Sequence, residues 1–122
     1  MAKHNIFGKK GEELAFETLL KQGYTIRERN WRFGKNEIDI IAEKNNRIII
    51  VEVKTRSNEI DDISKVITPK KITHLIEGAR AYLSYCKLDK ELQFDIILLT
   101  GTEDNLQIEH IPDAIMPPLK TY

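Results

Sequence analysis

The sequence predicts an α/β sandwich around a mixed β-sheet. Three observations lead there: two segments whose apolar residues recur at helical spacing, five segments of strand character, and the order α-β-β-β-α-β-β, which sets a helix between strands. No repeat, low-complexity tract or internal linker interrupts this order. The 122 residues therefore read as one domain, with a core over about 8–111 and an irregular C-terminal tail.

Each element has its own signal. Residues 11–22, "GEELAFETLLKQ", place Leu14, Ala15, Phe16, Leu19 and Leu20 on a broad apolar helical face, and Gly23 ends it. Tyr24 to Arg29 reads as a short strand, and residues 31–36, "WRFGKN", as a loop with a Gly turn. Residues 37–42, "EIDIIA", and 47–54, "RIIIVEVK", read as strands joined by a tight turn at Asn45-Asn46. Residues 55–66 are polar and irregular, long enough to be a functional loop. Thr68-Pro69 starts a second helix as a cap followed by proline in the first turn, and Ile72, Leu75, Ile76, Ala79, Leu83 and Cys86 form its core face. Residues 94–99, "FDIILL", and 105–111, "NLQIEHI", read as two more strands, the last half-exposed. Pro112, Pro117 and Pro118 mark the tail.

Composition excludes several classes. The single cysteine, Cys86, allows neither an internal disulfide nor a cysteine metal cluster and suits a reducing compartment. The opening residues "MAKHNIFGKKGEELAF" lack a signal-peptide apolar core, and no run approaches the ~20 apolar residues of a membrane span. The cytoplasm is the expected location, with no membrane partner. Net charge is zero, but it alternates along the chain: +4 over residues 1–35, −3 over 36–62, +4 over 63–90 and −5 over 91–122. Two basic segments thus flank an acidic one, either as scattered solvated charge or as a surface that holds a phosphate backbone beside carboxylates.

The acidic segment carries the chemistry. Strand alternation puts Ile48, Ile50, Glu52 and Lys54 on one face, and Glu37, Asp39 and Ile41 on one face of the preceding strand. A two-residue turn at Asn45-Asn46 pairs Lys44 with Arg47. Counting back, Asp39 then opposes Glu52, and Glu37 opposes Lys54. Opposed carboxylates repel, so something must compensate. One answer is a charge network through Lys54. The other is a divalent cation such as Mg²⁺, which takes one or two carboxylates plus waters and phosphate. The carbonyl of Val53 offers a further oxygen. Glu12, on the first helix, leans toward the buried face and overhangs the pair; by itself a Glu in a first helical turn also simply suits the helix dipole.

Glu12, then Asp39, twelve residues, then Glu52-Val53-Lys54 is a D-x12-E-x-K pattern, which resembles the signature of the restriction-endonuclease-like nucleases. The resemblance extends over about residues 8–111. Gly8, Gly11-Glu12, Ala15, Gly23-Tyr24, Asn30-Trp31-Arg32, Glu37-Ile38-Asp39, Glu52-Val53-Lys54-Thr55-Arg56, Lys71 and Phe94-Asp95 look like the bacterial YraN family. That family is similar to archaeal Holliday-junction resolvases. The resemblance implies a three-layer restriction-endonuclease-like sandwich and a metal-dependent endonuclease acting on DNA, at branched or damaged sites in repair or recombination. It implies Mg²⁺ (with Mn²⁺ as substitute) held by Glu12, Asp39, Glu52 and the Val53 carbonyl, with Asp39, Glu52 and Lys54 catalytic. Glu37 is an auxiliary candidate, and Arg56 and Lys71 are candidate phosphate contacts. Two positions depart from the family habit: Asn36 stands where Gly is common, and Gln93 where Arg is. Resolvases act as symmetric dimers, so a homodimer is allowed by analogy. Two alternatives stay open: a nucleic-acid-binding module without catalysis, and a partner subunit that keeps the fold. Trp31 reads as a core seal more readily than as a base-stacking platform, and neither His4 nor His110 has the partner pattern of a catalytic histidine.

Overall fold

The computed structural model describes residues 2–56, 67–102 and 104–115, with side chains from residue 8 onward. Helix α1 (Ala2–Lys21) leads into strands β1 (Thr25–Phe33), β2 (Asn36–Lys44) and β3 (Arg47–Arg56). Helix α2 (Pro69–Cys86) precedes β4 (Glu91–Thr102) and β5 (Asn105–Ile111). The five strands form one sheet in sequence order. All neighbours are antiparallel except β3 and β4, which run parallel because α2 carries the chain back between them. The sheet is therefore mixed, and one helix covers each face.

The β3 sequence explains the two cores. Ile48 and Ile50 join Ile38, Ile41, Phe94, Ile96 and Leu98 under α2, whose Leu75, Ala79 and Tyr82 close that layer. Ile49 and Val51 join Ile40, Ala42, Ile97 and Leu99 under Ala15 and Leu19 of α1. A strand apolar on both faces suits the middle of a sheet, and each such isoleucine contributes roughly 1.5–3 kcal/mol by burial. Asn45 and Asn46 both take left-handed backbone, φ 54° and 62°, the geometry of a two-residue hairpin turn that asparagine tolerates. This turn fixes Lys44 against Arg47, as the sequence predicts.

Three expectations need correction. Residues 31–36 are not a loop: β1 runs to Phe33 and β2 begins at Asn36, leaving only Gly34-Lys35 as the turn. Trp31 finds an apolar partner distant in sequence, standing edge-on to the Tyr82 ring at 5.2 Å, and stacks with its strand neighbour Phe33 at 6.4 Å. Helix α1 starts at Ala2 and not near residue 11. Gly11 does not break it; it is buried against β3, where a Cβ would meet Thr55 Oγ1 at 2.5 Å. Residues 55 and 56, finally, belong to β3; the rest of the expected loop, 57–66, lies outside the described residues, as do 116–122 of the tail.

Strict alternation also fails along β2, and this shapes the site. Ile38 and Ile41, three residues apart, both face α2, while Ile40 faces α1. The partner strand changes with it. Arg29 pairs with Ile40 and lies over the Phe16 ring of α1, whereas Trp31, paired with Ile38, packs under α2. Between them Asn30 has φ 52°. The two strands exchange faces together at Asn30 and Asp39.

Candidate active site

Asp39 sits where β2 and β3 part. Their ladder runs from Lys44–Arg47 to Ile40–Val51 and ends there. In place of the next backbone pair, the Val53 N–H donates to Asp39 Oδ2 at 2.8 Å. A strand amide points within the plane of the sheet, so the Asp39 carboxylate fills the gap between the strands. The Val53 carbonyl leaves its strand on the same side as that N–H.

Different groups reach Asp39 from the two faces. From the α2 side comes Glu52, which follows Ile48 and Ile50 in alternation and is only 2% exposed. Its carboxyl lies beside that of Asp39, close enough to disfavour ionisation there. Lys71, in the first turn of α2, brings its ammonium to 3.0 Å from Glu52 Oε2. The contact is an ion pair without hydrogen-bond alignment, and that buried oxygen has no hydrogen-bond partner among the described residues. From the α1 side comes Glu12, half-buried. Burial first, and then the charge of Asp39, push its carboxyl above the ordinary range, while Arg29 opposes them. Arg29 also binds Glu13 at 2.6 Å, which ties the first half of α1 to β1 and fixes where Glu12 hangs.

Desolvation, then the neighbouring Glu52, raises Asp39 to about 8, against the lowering effects of the Val53 amide and the more distant Lys71. Its environment is thus short of positive charge. A divalent cation would supply that charge, and the donor set fits one: the buried Glu52 with its orphaned Oε2, the half-buried Asp39 and a carbonyl on the same side, all oxygen, with no cysteine or histidine. Among the described residues, no three Asp, Glu, His or Cys side chains converge into a ready cage. The fit is to the sparse protein coordination usual for Mg²⁺.

The other predicted residues fall as follows. Lys54 is half-buried, and among the described residues it makes no hydrogen bond or ion pair. Glu37 does not oppose Lys54, because the ladder has already ended; it pairs with Arg32 at 3.4 Å. Arg56 is exposed at the end of β3. Lys71, expected at the surface as a phosphate contact, turns inward to Glu52. A separate cavity of about 450 Å³ lies over β4 and β5, lined by Leu98, Thr100, Ile108 and Glu109 among others. It contains none of the candidate residues, although Leu98 and Thr100 are registered against Lys54 and Arg56.

A second buried carboxylate escaped the sequence reading. Asp95, fully buried on the α1 face of β4, accepts from Tyr24 Oη (3.0 Å), Gln93 Nε2 (2.9 Å) and the Asp113 N–H (2.9 Å), and contacts His110 Nε2 at 2.7 Å. The other ring nitrogen of His110 meets Gln22 at 2.7 Å. So His110 does have a partner, and Gln93, in the place where arginine is common, helps to satisfy Asp95. Although burial opposes ionisation, these hydrogen bonds together hold Asp95 below the ordinary carboxylate range. The cluster joins the end of α1 to β4 and β5. The one available signal was a lone Asp inside the apolar run "FDIILL".

The model of the uncharacterised protein family UPF0102 matches residues 11–99, which span Glu12, Asp39, Glu52 and Lys54. The chain belongs to the UPF0102 (YraN) family. It is 47% identical over 120 residues to a UPF0102 protein of Phocaeicola vulgatus, covering 98% of this chain and 99% of that one. It is 45% identical over 120 residues to one of Bacteroides fragilis, with the same coverage. A Flavobacterium psychrophilum relative is 46% identical over 115 residues, covering 93% of this chain and 97% of its own. UPF0102 relatives thus match nearly end to end, and among the described residues of this chain no helix is long and apolar enough to cross a membrane.

Proposed function

We propose that this UPF0102 chain is a metal-dependent endonuclease that hydrolyses phosphodiester bonds in DNA, with branched or damaged DNA as the substrate class. The observation that carries the reading is the Asp39–Glu52 pair at the gap between β2 and β3, Glu52 buried and Asp39 half-buried, with an orphaned oxygen on Glu52 and two lysines, Lys71 and Lys54, on the α2 face. A site built only for stability gains nothing from two desolvated carboxylates in contact. A site that receives a cation and a phosphate does.

Asp39, Glu52 and the Val53 carbonyl would hold the metal, and Glu12 would act through water from the α1 side. When bound, Mg²⁺ supplies charge neutralisation on the phosphate and lowers the pKa of a water. The chain's own residues do the rest. The Val53 N–H fixes the Asp39 carboxylate in the sheet plane. Lys54, on the same face as Glu52, carries a charge suited to orienting the attacking water and stabilising the charge that develops on phosphorus oxygens. Arg56, further along the strand, would contact the phosphate backbone, and Glu37 stays outside the set through its pairing with Arg32. The dimer and the cytoplasmic location belong to the same reading.

One observation favours a second reading. The Lys71–Glu52 ion pair already neutralises part of the site, as in a fold retained for binding DNA or a partner protein without catalysis. Labelled four-way-junction, flap, single-stranded and linear duplex DNA, incubated in Mg²⁺ or Mn²⁺ with Glu52→Ala in parallel, separates the two. Cleavage by the parent alone supports the nuclease. Binding without cleavage would overturn it in favour of the second reading.

A further inference from the structure

We infer that Lys71 is an exchangeable counter-ion: in the metal-free protein its ammonium holds the place that a divalent cation takes, and the cation displaces it. This rests on the metal-binding reading above. The geometry that carries it is the Lys71 Nζ–Glu52 Oε2 contact of 3.0 Å, made by a residue whose side chain is 34% exposed to one that is 3% exposed. Glu52 is almost cut off from water, and the cation beside it is Lys71. Lys71 has a route to water, because its long stem emerges from the first turn of α2 and its head can return to solvent. The pair is misaligned for a hydrogen bond, so the lysine offers charge proximity without a directional bond to break. Lys54, the other lysine of that face, pairs with neither carboxylate among the described residues. Glu52 is therefore held by a removable group, and Lys54 is not consumed in holding it.

Displacement has a second result. The released ammonium stays tethered at the N-terminus of α2, next to the backbone amides of the first turn, where positive potential gathers.

The test is Mg²⁺ binding by calorimetry on the parent, Lys71→Met and Glu52→Gln. The isosteric Lys71→Met removes the competitor. It is expected to bind Mg²⁺ about fivefold more tightly, the change that corresponds to ~1 kcal/mol for a pair with one partly exposed member. Its melting temperature should fall in EDTA and recover in Mg²⁺. In the parent, the Lys71 Nζ resonance of ¹⁵N-labelled protein should move to the position of a solvated lysine as Mg²⁺ is added; this holds even if Lys71→Met does not fold. Unchanged or weaker Mg²⁺ binding by Lys71→Met, or an unmoved Lys71 resonance in a parent that binds Mg²⁺, overturns the exchange and leaves the metal site intact. A parent that binds no Mg²⁺, like Glu52→Gln, overturns both.

Discussion

Replacing Asp39 with asparagine should make the metal-free protein more stable, and by more as the pH rises. Asparagine is isosteric. Its carbonyl can still accept the Val53 N–H, so the hydrogen bond that positions Asp39 survives, and its amide can donate to the Glu52 carboxylate beside it. What disappears is the cost of ionising a desolvated carboxyl beside another. In the unfolded chain Asp39 loses its proton near 3.8; in the fold it keeps it to about 8. Between those values the native state binds more protons than the unfolded state, so stability falls with rising pH, by up to about 1.4 kcal/mol per unit. Below 3.8 both states are protonated and nothing is lost; above about 8 the loss is complete. At pH 7 the span already traversed sets an upper bound of roughly 4 kcal/mol, and sharing of the proton with Glu52 reduces the expected gain to about 2–3 kcal/mol. Urea unfolding in EDTA at pH 5, 6, 7 and 8 would measure it. The parent's midpoint should drop across this series relative to that of the variant, while Mg²⁺ should raise the midpoint of the parent alone. A variant that is less stable than the parent at pH 7, or a difference independent of pH, would refute the claim that the carboxylate pair is strained.

Further outcomes are expected at Asp95, Asn30, Gly11 and Lys54. Asp95→Ala leaves Tyr24, Gln93, His110 and the Asp113 amide without their common acceptor and should cost about 3–5 kcal/mol in urea unfolding. Because the folded Asp95 lies below its ordinary value, its contribution is complete above pH 3.8 and is lost as the pH falls through the lower folded value; an acid-unfolding midpoint shifted upward in Asp95→Asn would show it. Asn30→Gly should unfold at nearly the parent's urea concentration, whereas Asn30→Ala should lose about 1 kcal/mol, because φ 52° penalises a Cβ that has no local hydrogen bond to offer. Gly11→Ala should cost about 1–3 kcal/mol by pushing α1 off Thr55, and Thr55→Ala in the same chain should restore most of it, as read by thermal melts of the single and double variants. Lys54→Ala should bind Mg²⁺ like the parent and lose cleavage of the junction substrate.

Features set by local chemistry were legible in the sequence. Asn45-Asn46 dictated a two-residue turn, and that turn dictated the register which brings Asp39 toward Glu52. Thr68-Pro69 dictated the start of α2, where the Thr68 side chain does accept from the Lys71 amide. Features set by contacts distant in the chain were not. Nothing near Gly11 says that a buried glycine is there to let Thr55 approach, so the helix looked shorter than it is. The period-two rule placed Asp39 on a face, but the left-handed Asn30 across the ladder turned it into the plane of the sheet. Lys71 read as a candidate phosphate contact because its partner lies on another element, and, apart from Gln93 two residues away, the groups around Asp95 come from β1's approach, β5 and the segment after it.

The parallel pairing of β3 with β4 has a consequence for the order in which the chain assembles. The strands β1, β2 and β3 form a meander with short turns, so the contacts that join Asp39 to Glu52 span few residues and close quickly. Lys71 reaches them only once α2 docks, and the β3–β4 ladder closes over more than thirty intervening residues between Arg56 and Glu91. The two acids are therefore expected to meet before their internal cation arrives. In that interval free divalent ions would have a folding partner to capture, and Mg²⁺ should accelerate refolding of the parent more than that of Glu52→Gln.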